Sequence, residues 1–276
     1  MSALPNLALE APASAGAVSD PDSPVRADPA APPRELYHSE ADAARYELQS
    51  FLCLFGIHVS LYLALAGWMP VWAMAAAVMV LMPRLHLPLH ELLHMRPVEQ
   101  VNWFTRLNTH IESPISLGYR EYRIIHLEHH RFTATEQDPE WYQIRGGHLR
   151  ALVYSMFTTE QSFVRWVLQR GMSRSLLVET LIRLVPFAVA LWWNPQVFLV
   201  YLVALRTTAW LSQFTFHHVL HYRNGQYGTF RLVLPKPLMF VAGVFVGWKN
   251  LPIVCEHPTH HEWPMVRATA LSDIRR

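Results

Sequence analysis

The stretch FLCLFGIHVSLYLALAGW, residues 51–68, decides what kind of fold this chain adopts. Its eighteen residues contain His58 as the single ionisable side chain, and that length is enough for a membrane span. Composition agrees: 51% hydrophobic, 12% aromatic and only 16% charged residues across 276 is too apolar for an ordinary soluble domain. A formal charge of +2 gives no footing for nucleic-acid binding, so the placement of the basic residues carries the information. Two cysteines, Cys53 and Cys255, imply neither a disulfide framework nor a structural zinc site of their own.

Before this stretch, residues 1–36 are rich in Ala, Pro, Ser and Asp without an apolar period or the uninterrupted core of a secretory signal peptide. They read as a disordered tail, leaving 37–276 as one membrane-embedded domain whose charged amphipathic lead-in covers residues 35–47. After Met69 and Pro70 a second span, residues 71–89, starts with only twelve apolar residues but meets no strong stop before His94. Continued as helix, those twenty-four residues reach about 36 Å and bring His90 and His94 out at the far surface, with Pro83 and Pro88 as kink points.

The third and fourth spans, residues 176–193 and 196–216, are joined by a tight Asn194-Pro195 turn. Both short connectors lack Lys and Arg and are flanked by Trp68, Trp72, Trp192 and Trp193, whereas residues 83–175 hold eleven arginines. The positive-inside bias and the aromatic belt therefore put both termini and the long polar section in the cytoplasm. Within that section, residues 150–169 read as an amphipathic helix, either interfacial or packed on the core. Residues 238–248 form an eleven-residue apolar run, too short to cross and so re-entrant or interfacial.

This topology delivers histidines to one face. Eleven of the sixteen sit in four groups: HELLH with His90 and His94, HLEHH with His126, His129 and His130, HHVLH with His217, His218 and His221, and HPTHH with His257, His260 and His261. An i, i+3, i+4 spacing puts three imidazoles on one side of a helix. Imidazole suits iron, zinc, copper and nickel, and nine to eleven donors overfill one tetrahedral zinc but suit two metals of higher coordination, most economically two irons. His86 lies four residues before His90 and shares its face, whereas His38, His58, His110 and His148 stand alone and read as satisfied polar groups or caps.

The boxes HxxxH, HxxHH and HxxHH in this order, with GYREYRIIHLEHHRFTATEQDPE and EHPTHHEWPMV around the last two, resemble the membrane fatty acid desaturase and hydroxylase superfamily, alkane monooxygenases included. The resemblance covers roughly residues 51–266. It implies an all-α fold: four transmembrane helices with a cytoplasmic helical cap holding a non-haem diiron centre. It also implies O2 as co-substrate and external electrons to oxidise an unactivated C–H bond of a lipid.

Position by position, the resemblance makes His90, His94, His126, His129, His130, His257, His260 and His261 metal ligands. The ninth is His217, at the end of WLSQFTFH, where Gln213 stands in place of the desaturases' Asn; His218 points elsewhere, and His221 shares the His217 face as a rival. Glu91, Glu128, Glu136 and Asp138 are candidates to orient imidazoles through their second N–H. Arg206, Glu179 and Arg183 lie inside spans, where such residues pair with one another or line a substrate pocket.

The motifs as a whole point to acyl-chain desaturation. HELLH, with Glu91 after its first histidine, is closer to the box of alkane hydroxylases and carotenoid-modifying members, which keeps hydroxylation as the alternative. HELLH also satisfies the HExxH pattern of zinc proteases, and a membrane haem or metal carrier is a non-enzymatic rival. Both leave most of the histidine groups unused. The chain shows no HPGG haem segment, Gly-rich nucleotide fingerprint or CxxC pair, so electrons are expected from a separate ferredoxin, rubredoxin or cytochrome with its reductase.

Overall fold

Ser39 starts the first long helix. Its hydroxyl accepts the Asp42 N–H while the Asp42 carboxylate takes the Ser39 N–H, a reciprocal cap that fixes where α1 (Glu40–Leu65) begins. The charged lead-in and the apolar run that follows it are thus one continuous helix. A turn through Gly67, at a φ of 76°, leads to α2 (Val71–Met95). This helix runs unbroken through Pro83 and Pro88, as the expected continuation requires, and stops where Arg96 becomes extended before Pro97.

The computed structural model describes residues 31–274; residues 1–30 of the expected tail lie outside the described residues. Arg34–Leu36, assigned to the tail by composition, form a 3-10 turn, and an isolated bridge pairs Tyr37 with Val266.

The polar section folds into α3 (Trp103–Leu107), α4 (Tyr119–Phe132), α5 (Trp141–Ile144), α6 (His148–Ser155) and α7 (Thr158–Arg170). The single amphipathic helix expected over 150–169 is therefore two, broken at Met156 and Phe157. Leu149, Val153, Phe157, Val164 and Leu168 are exposed along this pair while Ala151, Ser155 and Phe163 are buried.

Capped by Ser173, α8 (Arg174–Trp193) precedes α9 (Pro195–Gln213), whose N-cap is Asn194 with Pro195 in the first turn. The helix then widens into a π-helical turn, Phe214–Val219. A two-stranded hairpin, β1 (Tyr222–Arg223) and β2 (Gln226–Tyr227), turns on Asn224 and Gly225, both at positive φ. Short helices complete the chain: α10 (Lys236–Val246), α11 (Leu251–Cys255), α12 (His257–Glu262) and α13 (Leu271–Ile274).

Four helices are long and apolar enough to cross a membrane: Glu40–Leu65, Val71–Met95, Arg174–Trp193 and Pro195–Val219. Their main core joins α1, α2 and α9 through Leu54, Ile57, Met74, Val78, Tyr201 and Leu205. Tyr62 touches the rings of both Trp68 and Trp193, so the two short connectors sit at the same end of the bundle. The long section and the C-terminal helices gather at the other end around smaller apolar clusters, one of Leu89, Leu92, Leu93 and Tyr119, another of Leu87, Leu220, Ile253 and Val266.

Candidate metal centre

The C-terminal turns of α2 bring His90 and His94 to the non-connector end. There α4 meets them, with His126 and His130 one turn apart on the same face. The Nε2 atoms of His94 and His126 are 2.9 Å apart, and the His90 and His126 rings are centred at 4.5 Å. His260 of α12 completes this group, with donor atoms of His90, His94, His130 and His260 all within 4.8 Å of one another.

A second group forms beside it. His129, on the neighbouring flank of α4, is within the same limit of His221 and His261, and the Nε2 atoms of His221 and His257 are 3.1 Å apart. The groups adjoin where the His130 and His261 rings stack at 4.1 Å. Each HxxHH helix thus serves both: α4 sends His126 and His130 to one group and His129 to the other, and α12 sends His260 to one and His257 and His261 to the other.

The ring orientations are held from outside. Glu91 accepts from His90 Nδ1 at 3.1 Å and Asp138 from His129 Nδ1 at 2.8 Å. The Gly228 carbonyl accepts from His221 Nδ1 at 2.9 Å. Thr133 Oγ1 donates to the His129 carbonyl and accepts from His261 Nδ1 at 3.0 Å. In all four, Nδ1 is occupied and Nε2 is left as a lone pair facing its group, the arrangement in which an imidazole ligates a metal.

Burial, then the neighbouring imidazoles, lowers the pKa of His126, His130 and His261, and His260 is pushed down to about 3. These four imidazoles are therefore held in the neutral form. His129 goes the other way: burial opposes its charge, but the carboxylates of Asp138 and Glu140 outweigh it.

These residues fit a metal by two observations. Both ring nitrogens of His130 and of His260 are buried without a hydrogen-bond partner among the described residues, a costly state that a coordinated ion relieves. The two Nε2 pairs at 2.9 and 3.1 Å also match the spacing of about 3 Å between adjacent donors roughly 2.1 Å from one ion.

The remaining candidates separate. His217 turns Nδ1 toward Glu140, 3.3 Å away, and its neighbour Gln213 is buried against the same cavity. His218 points away, donating from Nδ1 to the Ile144 carbonyl and meeting His148 at 3.0 Å. His86 lines the cavity beside the imidazoles. Glu128 forms an ion pair with Arg170 at 2.7 Å and Glu136 is exposed, so neither orients a cluster imidazole. Arg206 pairs with Glu160 of α7 at 2.7 Å and donates to the Met156 carbonyl, while Arg183 bonds the Ser116 carbonyl at 2.6 Å with Glu179 3.7 Å away.

Sequence reasoning did not single out Glu140, and it read His38 only as a satisfied polar group or cap. Glu140 lies 3.4 Å from His129 as well as beside His217, and burial is outweighed by those imidazoles, which hold its carboxyl well below the usual range. Its signal was its place after Asp138-Pro139. His38 had none, standing alone 53 positions before its partner Glu91.

Two cavities share a wall at His110. One, with about 650 Å³ of empty space, is walled by His90, His126, Tyr122, Gln213, Phe216 and His217. The other, with about 820 Å³, is mostly apolar and lined by Trp103, Phe104, Phe187, Phe198 and Tyr201; His110 belongs to both walls.

With this geometry in hand, comparison with known proteins gives one match: the family model described as fatty acid desaturase covers residues 66–276. The chain belongs to the fatty acid desaturase family. No curated protein and no solved structure matches it. As a fatty acid desaturase family member it is a membrane oxidoreductase of the desaturase type, and the histidine boxes that suggested the resemblance all lie inside the matched region.

Proposed function

We propose that this protein is an integral membrane, non-haem diiron oxidoreductase that desaturates the acyl chain of a lipid in an O2-dependent reaction. The observation that carries this reading is the division of the boxes into two adjoining imidazole groups with orphaned, buried nitrogens. His90, His94, His126, His130 and His260 would hold one iron and His129, His221, His257 and His261 the other. In this reading the ninth donor is His221 rather than His217, because the His221 donor nitrogen clusters with those of His129 and His261 and its Nε2 lies 3.1 Å from His257 Nε2, whereas His217 stands outside both donor groups. Bound there, two irons would supply, from O2 and external electrons, the oxidising power to remove hydrogen from an unactivated C–H bond.

The chain's own residues prepare the site for that chemistry. Neutral imidazoles offer lone pairs without first losing a proton, and the carboxylates of Glu91 and Asp138 keep their rings aimed. The apolar cavity that shares His110 with the histidine-lined one is the place for the chain of the substrate. Arg183, on that cavity's wall, and Arg206 are bound to backbone carbonyls or carboxylates, which favours pairing over contact with a head group. Positive-inside bias puts the site and both termini in the cytoplasm, where a ferredoxin, rubredoxin or cytochrome with its reductase would deliver electrons.

A second reading, hydroxylation, is favoured by box one, whose Glu91 contacts His90. The zinc-protease reading needs Glu91 as general base, yet both its carboxylate oxygens are engaged by imidazoles.

The deciding experiment pairs metal analysis of detergent-purified protein with gas chromatography and mass spectrometry of lipids from an expressing host. Two irons per chain and new double bonds are expected. Hydroxylated products shift the reaction to the alternative, and one zinc or a Soret band without lipid change overturns the proposal.

A further inference from the structure

The segment before the first span reaches the metal centre. Residues 35–38 run against the C-terminal segment that follows the last histidine box. The His38 N–H donates to the Met265 carbonyl at 2.9 Å, the Arg267 N–H to the Leu36 carbonyl at 2.9 Å, and the Arg267 guanidinium to the Glu35 carbonyl. Leu36 and Tyr37 pack on the apolar cluster of Leu87, Ile253, Val266 and Leu271. This strap lies outside the matched family region, which begins at residue 66.

From the strap the His38 side chain turns inward. Its Nε2 lies 2.9 Å from Glu91 Oε2, with both side chains wholly shielded from solvent. Its ring also meets Tyr46 edge-on at 5.6 Å. His38 Nδ1 has no hydrogen-bond partner among the described residues, so the contact with Glu91 is the ring's polar anchor. The other oxygen of Glu91 accepts from His90 Nδ1 at 3.1 Å and stands 3.9 Å from His260 Nδ1.

Glu91 therefore stands between the strap and a histidine from each of two boxes. A carboxylate with no exposure needs donors on both oxygens to be held in place. His90 supplies one donor and His38 the other. If the His38 donor is lost, Glu91 is free to rotate, and the bond that aims the His90 ring goes with it.

We infer that His38 is a positioning residue for the metal centre: through Glu91 it orients His90, and so sets the metal affinity of the group that also contains His94, His126, His130 and His260. The strap thereby makes the N-terminal segment part of the centre. The inference rests on the metal-centre reading.

The test is ferrous-ion titration of the metal-free full-length protein in detergent, following the two binding phases, with Mössbauer spectra of the loaded forms. His38→Phe keeps an aromatic ring and removes the donor, while His38→Gln keeps an N–H near the position of Nε2. His38→Phe is expected to weaken one phase about ten- to a hundred-fold, leave the other unchanged and alter one of two iron signals. His38→Gln is expected to restore both phases. Arg267→Ala, which loosens the strap without touching Glu91, should lower thermal stability and leave the titration unchanged.

Wild-type binding by His38→Phe, or binding by His38→Gln as weak as that of His38→Phe, overturns the inference. So does a titration of Arg267→Ala that matches that of His38→Phe, since the effect would then be packing. If His38→Phe does not fold, His38→Gln decides: two wild-type phases support the inference and one weakened phase overturns it. A wild-type protein that binds no iron overturns the metal-centre reading itself.

Discussion

His217 and His221 differ by four positions, yet one faces the Glu140 carboxylate and the other three imidazoles. On an α-helix the pair shares a face, so sequence kept them as rivals. The π-helical turn at Phe214–Val219 changes the angle between successive residues, and the chain leaves the helix before His221. Replacing His221 by Ala should therefore remove about half of the bound iron, whereas His217→Ala should retain both irons; metal analysis of the two proteins measures this directly. The same assay applies to His129→Ala, which should lose iron and activity while still inserting in the membrane. Retention of both would sink its assignment as a ligand.

Among the elements, α6 and α7 are the pair that the amphipathic pattern ran together, because their apolar residues keep one face across the break at Met156 and Phe157. What ties them to the bundle is α9: Arg206 bridges to Glu160 and the Met156 carbonyl, and Trp210 Nε1 donates to the Leu152 carbonyl at 2.6 Å. The Arg206 and Glu160 side chains keep 27% and 31% of their exposure, so the pair is worth only about 1 kcal/mol after screening. Arg206→Met should accordingly lower the melting temperature by about 2–4 °C and leave the chain length of the products unchanged. A changed product profile with unaltered stability would assign Arg206 to the substrate instead.

For the whole molecule, the metal centre gathers α2, α4, the segment after the π turn and α12, which helix packing alone joins through small clusters. Bound iron should thus stabilise the cap more than the spans. Chelation is expected to lower the melting transition and expose the cap to protease while the helical content of the spans persists. The assembly also has a polarity that can be read. Cysteines placed at Gly67 and Asn194 should react with an impermeant thiol reagent from outside the cell, and one at Glu136 only after the membrane is opened. Labelling of Glu136→Cys in intact cells would reverse the proposed orientation.

Four candidate spans, the common direction of the second and fourth, and the gathering of the boxes at one end were legible from residues 51–68 onward, because span length and i, i+3, i+4 spacing are properties of local chain geometry. The same local rules put Asp138 close enough to its box to be named as a partner of the imidazoles. Packing between distant elements decided the rest. It split each HxxHH helix between two groups, set His221 rather than His217 beside His257, brought Glu140 to His129, and carried His38 across 53 positions to Glu91. Those choices depend on which flank of one helix meets which flank of another, and on a single widened turn, neither of which periodicity along the chain records.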